Sequence, residues 1–167
     1  ASSITASWTA PTSPRDLEGY VVEVSRGGSI VFRAGAGRSA TSLEMTTPTF
    51  DIVNGAEHTV RVYAVNEAGE SAASNSATAT PVGVSSAPRN LDVVPLVNGL
   101  RVSFVTPSDL AGLPILDYQV VSTPTSGSAV TTTVPVGSSP YNIDVTSLTV
   151  GTRYVVTVKA RNAEGFS

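Results

Sequence analysis

Cysteine is absent from the 167 residues. Disulfide staples, thiolate metal sites and a cysteine nucleophile are therefore excluded, and the redox compartment is left open. Histidine occurs once, at His58, so any metal cluster would have to rest on carboxylates. Lysine also occurs once, at Lys159, against nine arginines. The formal charge is −3, with five Arg against eight acids in residues 1–83 and five basic residues against five acids in residues 84–167. Neither half carries the clustered basic charge of a nucleic-acid surface, and no basic amphipathic helix is present for a membrane surface. No apolar run approaches the roughly 18 residues of a membrane span. The opening residues, ASSITASW, lack the charged and apolar regions of a signal peptide. Aromatic residues make up 6% of the chain and no Asn-x-Ser/Thr acceptor occurs.

Val, Thr, Ile and Tyr alternate with polar residues in short runs, broken every 8 to 12 residues or so by Gly, Pro, Asn and Ser, the pattern of an antiparallel sandwich. Alternation places Ile4, Ala6 and Trp8 on one face, as it does Tyr20, Val22 and Val24, and His58, Val60, Val62 and Ala64. These are the predicted inward faces. Trp8 and Phe104 are expected at the centres of two cores, with Tyr20, Tyr118 and Tyr154 also inside. Tyr63 shares its register with Lys159 and is expected outside, while Phe32, Phe50, Tyr141 and Phe166 are left unassigned.

The chain repeats itself. Ile4, Ala6, Trp8 and Pro11 align with Leu100, Val102, Phe104 and Pro107. Further along, Ile52, Gly55, His58, Ala64, Asn66 and Gly69 align at the same offset with Leu148, Gly151, Tyr154, Ala160, Asn162 and Gly165. Two homologous domains, 1–83 and 84–167, are the economical reading, joined by the short Pro-bounded stretch PVGVSSAPRN.

The stretch SLTVGTRYVVTVKARNAEGFS resembles the last third of a fibronectin type III domain, in which Leu, Gly and Tyr lead into an alternating strand ending Ala-x-Asn-x-x-Gly. LRVSF, GLPILDY and SSAPRNLDVV resemble the same family's strand B, the entry to strand C and the Pro-led strand A. The resemblance covers essentially the whole chain. It implies an all-β fold of two tandem immunoglobulin-like sandwiches, the first (strands B–G) lacking strand A and the second (strands A–F) lacking strand G. It also implies a tyrosine corner at Tyr154, weakened in the first domain where His58 replaces it. Asn98-Gly99 is expected to turn strand A into strand B.

Candidate chemistry is thin. Asp16, Glu18, Asp51 and Glu57 read as solvated loop acids, because no loop sets oxygen ligands at alternate positions. AGAGR (34–38) lacks the Lys and the helix of a phosphate loop and reads as the connection between strands C′ and E. SRGGS (25–29) lacks the aspartate of an integrin tripeptide. No catalytic, cofactor-binding or metal-binding residue is assigned, and no cofactor. The resemblance implies a non-catalytic spacer or adhesion module of a longer secreted or surface-exposed protein, with a repeating filament, surface-layer or phage-tail subunit as the alternative. The abundance of Ala, Gly and Arg points to a bacterial source. Expected partners are other modules or chains meeting exposed strand edges, with cell-surface or polysaccharide contact; nucleic acid and membrane insertion are not expected.

Overall fold

The computed structural model describes residues 2–12 and 16–167. Its chain divides into two compact units, Ala1–Val82 and Gly83–Ser167. Every regular element among the described residues is a strand, as the period-two alternation requires.

In unit 1, β1 (Ser3–Ser7) pairs antiparallel with β4 (Ser42–Thr46). The facing sheet runs β3 (Ser29–Gly37), β2 (Gly19–Arg26), β5 (His58–Asn66) and β6 (Gly69–Glu70), and β7 (Ala77–Ala79) also pairs with β5. In unit 2, one sheet has the order β12 (Tyr141–Thr146), β9 (Gly99–Val105), β8 (Arg89–Leu96). The other runs β11 (Val130–Pro135), β10 (Asp117–Pro124), β13 (Tyr154–Asn162), β14 (Gly165–Phe166).

Each unit buries the alternate residues of its strands. Ile4, Ala6, Val22, Val24, Met45, Ile52 and Val60 form the core of unit 1. Val102, Phe104, Tyr118, Val120, Val134, Tyr141, Val145 and Ala160 form that of unit 2. The cores are not equivalent. Phe104 is 1% exposed, stacked on Tyr141 at 4.8 Å between centroids and tilted against Tyr118 at 5.2 Å. Trp8, expected at the centre of its core, is only half-buried, resting on Tyr20 at 5.1 Å. The cause is local: opposite Phe104 on the neighbouring strand stands Tyr141, whereas opposite Trp8, whose N–H donates to the Thr41 carbonyl at 2.9 Å, stands a threonine. Tyr141, unassigned in the sequence, is a core residue, and Tyr154 is only half-buried.

Three local expectations are corrected. The β8–β9 turn consists of Val97 and Asn98, with Gly99 already paired to Leu96. Gly99 is needed for another reason: a Cβ there would stand 2.2 Å from the Val145 carbonyl oxygen. AGAG (34–37) is not a connection but the second half of β3, paired with Gly19–Val22 of β2. Strand pairing in unit 2 also does not stop at β13, because β14 pairs with it at Asn162 and Arg161. In SRGGS, Gly27 and Gly28 both take positive φ, the geometry of a two-residue hairpin turn between β2 and β3.

Candidate interaction surface

Neither the single histidine nor the loop acids converge on a chemical site. His58 is 0% exposed; its Nδ1 donates to the Ala56 carbonyl at 2.9 Å and its Nε2 accepts the Val53 N–H at 3.4 Å. Tyr154 makes the matching contact in unit 2, its hydroxyl accepting the Thr149 N–H at 2.9 Å. The imidazole therefore reproduces the corner with a longer bond and adds a second bond that the phenol lacks. Asp16, Glu18 and Glu57 are exposed, and Asp51 is exposed and paired with Arg26 at 3.0 Å. Among the described residues no three His, Asp or Glu side chains are grouped as a metal would need.

The Ala-x-Asn-x-x-Gly ending of β5 and β13 has a structural function. Asn66 and Asn162 each accept a backbone N–H two residues on, from Ala68 and Glu164 at 3.0 Å, which shapes the turn into β6 and β14. Beyond that turn a serine substitutes for a strand residue: Ser71 N–H donates to the Ala64 carbonyl at 2.9 Å while its Oγ accepts the Ala64 N–H at 3.0 Å. Ser167 treats Ala160 in the same way.

The outward face of the larger sheet of unit 1 carries a polar cluster that the sequence analysis missed. Arg33 reaches Glu23 at 3.3 Å and Glu70 at 2.5 Å, and its guanidinium lies over the Tyr63 ring at 5.2 Å. Tyr63 donates to Glu23 at 3.2 Å. Tyr63 thus faces outward, as its register predicts, but is half covered. Little in the sequence signalled it, since Glu23 comes opposite Arg33 only through the register shift between Val24 and Ser25. In unit 2, Arg161 pairs with Asp117 and lies over Phe166, while Arg101 grips Asp144 at 2.7 Å. The hydrogen bonds from Arg161 and Arg101 hold the Asp117 and Asp144 carboxyls below the usual carboxylate range. Burial, followed by the neighbouring Tyr141, pushes the Tyr118 phenol up.

Two unpaired strand edges stand out because the equivalent strand of the other unit has a partner there. Residue parity identifies the free groups. Because Trp8 bonds to Thr41 and the Ser2 carbonyl accepts the Thr47 N–H at 3.0 Å, even-numbered residues of β1 face β4, and Ser3, Thr5 and Ser7 point their N–H and C=O groups the other way. No strand pairs with that side among the described residues. On β13 the residues turned away from β10 are even-numbered; Ala160 and Asn162 are bonded, but Val156 and Val158 have no strand partner on that side among the described residues. Their counterparts in unit 1 are served: Val60 pairs with Ala77, and the Val62 carbonyl and N–H bond to Ser74. Beside the free edge of β1 lies a groove of about 460 Å³ between Ile4, Ala6 and Trp8 on one side and Val60, Val62 and Ala77 on the other.

Two sandwiches of this kind, repeated in one chain with the same corner, Asn turn and serine bridge, coincide with sequence matches to the fibronectin type III domain at residues 1–80 and again at 86–167. The chain belongs to the fibronectin type III family. Among solved structures, this fibronectin type III pair is similar to a two-domain segment of chicken tenascin, at 18% identity and a TM-score of 0.48, covering 99% of this chain and 87% of that one. It is also similar to the FN1–FN3 domains of chicken CNTN1, at 18% identity and a TM-score of 0.45, covering 99% of this chain and 58% of that one. No curated protein sequence matches it. Members of this family are in general non-catalytic structural or adhesion modules of multidomain proteins that often work through protein–protein contacts, and no helix here is long and apolar enough to cross a membrane.

Proposed function

We propose that the chain is a non-catalytic spacer or adhesion segment of a longer secreted or surface-exposed protein, of bacterial source, with its two domains at 1–83 and 84–167. The observation that carries this reading is the pair of family matches separated by a handful of residues, together with polar clusters that tie strands to one another and do not converge on a cavity. Nine Arg to one Lys and the lack of Asn-x-Ser/Thr acceptors support the bacterial source. Protease shaving of intact source cells should release peptides of this sequence, and the parent polypeptide should run far above 17.1 kDa on a denaturing gel. A free 17 kDa species confined to the cell interior would refute the proposal. The free edges of β1 and β13 favour one second reading, a repeating subunit of an extracellular filament, surface layer or phage tail joined edge to edge. Ordered polymers of the purified chain in electron micrographs would select it.

A further inference from the structure

Two Asn-Gly pairs occur in the chain, Asn54-Gly55 and Asn98-Gly99. This dipeptide is chemically labile, because glycine has no Cβ to keep its backbone nitrogen away from the preceding side-chain amide carbon. The structure treats the two pairs differently. The Gly55 N–H donates to the Pro81 carbonyl at 2.8 Å, which holds the nitrogen that a reaction would need, and the Asn54 Oδ1 is buried. Asn98 is exposed at the tip of the two-residue turn between β8 and β9, beside Val97 at 90% exposure. Gly99 forms with Leu96 the pair that closes this turn, at the end of its ladder, where fraying costs least. By contrast, Asn142 accepts the Ser103 hydroxyl at 2.9 Å and Asn162 donates to the Gly83 carbonyl at 2.8 Å.

We propose that Asn98 is a self-modification site, at which the chain converts an amide to a carboxylate and thereby loosens β8 from β9. The Gly99 backbone nitrogen gives up its proton and bonds to the Asn98 Cγ, the Cγ–Nδ2 bond breaks and ammonia leaves, closing a five-membered succinimide. Water then opens the ring. Attack at Cγ breaks its new bond to nitrogen and gives aspartate; attack at the Asn98 backbone carbonyl breaks the original peptide bond and gives isoaspartate, with the chain running through the side chain. The second product adds one methylene to the main chain inside a two-residue turn. The surrounding backbone leaves no slack for it: a Cβ on Gly99 would stand 2.2 Å from the Val145 carbonyl oxygen, and Gly99 is paired on both sides, with Leu96 of β8 and Thr146 of β12. The added length therefore moves Leu96 out of register with Gly99. The reaction needs only water and does not depend on where the chain resides.

The test incubates the full 167-residue chain in neutral buffer and follows both Asn-Gly pairs by peptide mass mapping, with a protein isoaspartyl methyltransferase to label isoaspartate. Conversion should be at least tenfold faster at Asn98 than at Asn54, should quicken as pH rises, because the Gly99 nitrogen must lose its proton, and should yield labelled isoaspartate at position 98. Amides of β8 should exchange at least tenfold faster in the converted chain, while the β10–β13 pairs keep their protection. Asn98→Gln, which would have to close a six-membered ring, should stay unmodified. Asn98→Asp, which carries the charge without the added methylene, should keep β8 protected. Conversion at Asn54 as fast as at Asn98, unchanged exchange in β8 after conversion, or β8 loosened equally by Asn98→Asp would each overturn the assignment.

Discussion

Truncating Phe104 to alanine tests whether the core of unit 2 is organised around its aromatic triad. The ring is 1% exposed and lies 4.8 Å from Tyr141, parallel to within 9°, and 5.2 Å from Tyr118; those two rings are themselves 4.8 Å apart. A buried Phe→Ala change costs about 3–5 kcal/mol. Each aromatic contact contributes about 0.5–1.5 kcal/mol beyond burial, so the loss of two places the expected cost near the upper limit. In a domain of this size each kcal/mol moves Tm by about 4–8 °C, giving a fall of roughly 20–40 °C. Trp8→Ala, although it removes a larger ring, should cost less, about 2 kcal/mol, because the indole is half-exposed and leaves less apolar surface to be lost. Differential scanning calorimetry on both variants, with urea unfolding followed by Trp8 emission, separates the two units, since their cores share no residue. If Trp8→Ala proves the costlier change, or if the Phe104 variant moves the Trp8 transition as far as its own, the reasoning about separate and unequal cores fails.

His58→Phe removes both hydrogen bonds of the buried imidazole and should cost about 1–3 kcal/mol, more than Tyr154→Phe at about 0.5–1.5 kcal/mol, whose abandoned Thr149 N–H is exposed to water; thermal melts of the two variants rank them. Asp117 and Asp144 have lowered folded-state values, so their contribution is complete above the unfolded carboxylate value of about 4 and is lost as pH falls through the folded value. Unit 2 should therefore weaken below about pH 4, and Arg161→Gln should flatten that loss in pH-dependent urea titrations. Gly99→Ala would drive its methyl into the Val145 backbone and should cost about 1–3 kcal/mol, whereas Gly35→Ala, with nothing within 4 Å, should leave Tm nearly unchanged.

The fold was legible because each strand alternates cleanly and because the chain carries its plan twice, so that Tyr20 and Tyr118, or Val60 and Val156, check one another. Legibility ended where environment depends on a neighbouring strand. Tyr141 and Thr41 decide whether the ring opposite is sealed, and nothing in the local run around Trp8 reports that a threonine faces it. The Glu23–Arg33–Tyr63–Glu70 cluster likewise joins four strands, and even its hairpin pair was hidden, because counting back from Gly27 and Gly28 sets Glu23 opposite Phe32 and the register shift between Val24 and Ser25 moves it to Arg33. AGAG misled because small residues resemble a loop in composition, although an edge strand with few contacts to make accepts them equally well. The free edges followed from the strand count, but the groove beside one of them required knowing that Trp8 does not fill it.

The attachment of Ser2 and Pro81 to a single loop determines how unit 1 would answer a pull between those two points. Thr47 bonds back to Ser2 and Gly55 donates to the Pro81 carbonyl at 2.8 Å, so Ser2 and Pro81 both lie at the pole formed by residues 47–57. Tension applied at those two points peels β1 from β4 and β7 from β5 one backbone pair at a time, which is the compliant direction of a sheet, since its bonds run across the strands. A pull between Ser7, at the other end of β1, and Pro81 would instead act along the β1–β4 ladder and strain all its pairs together. Where along β1 the load enters thus decides whether this sandwich unzips under force or resists it in shear.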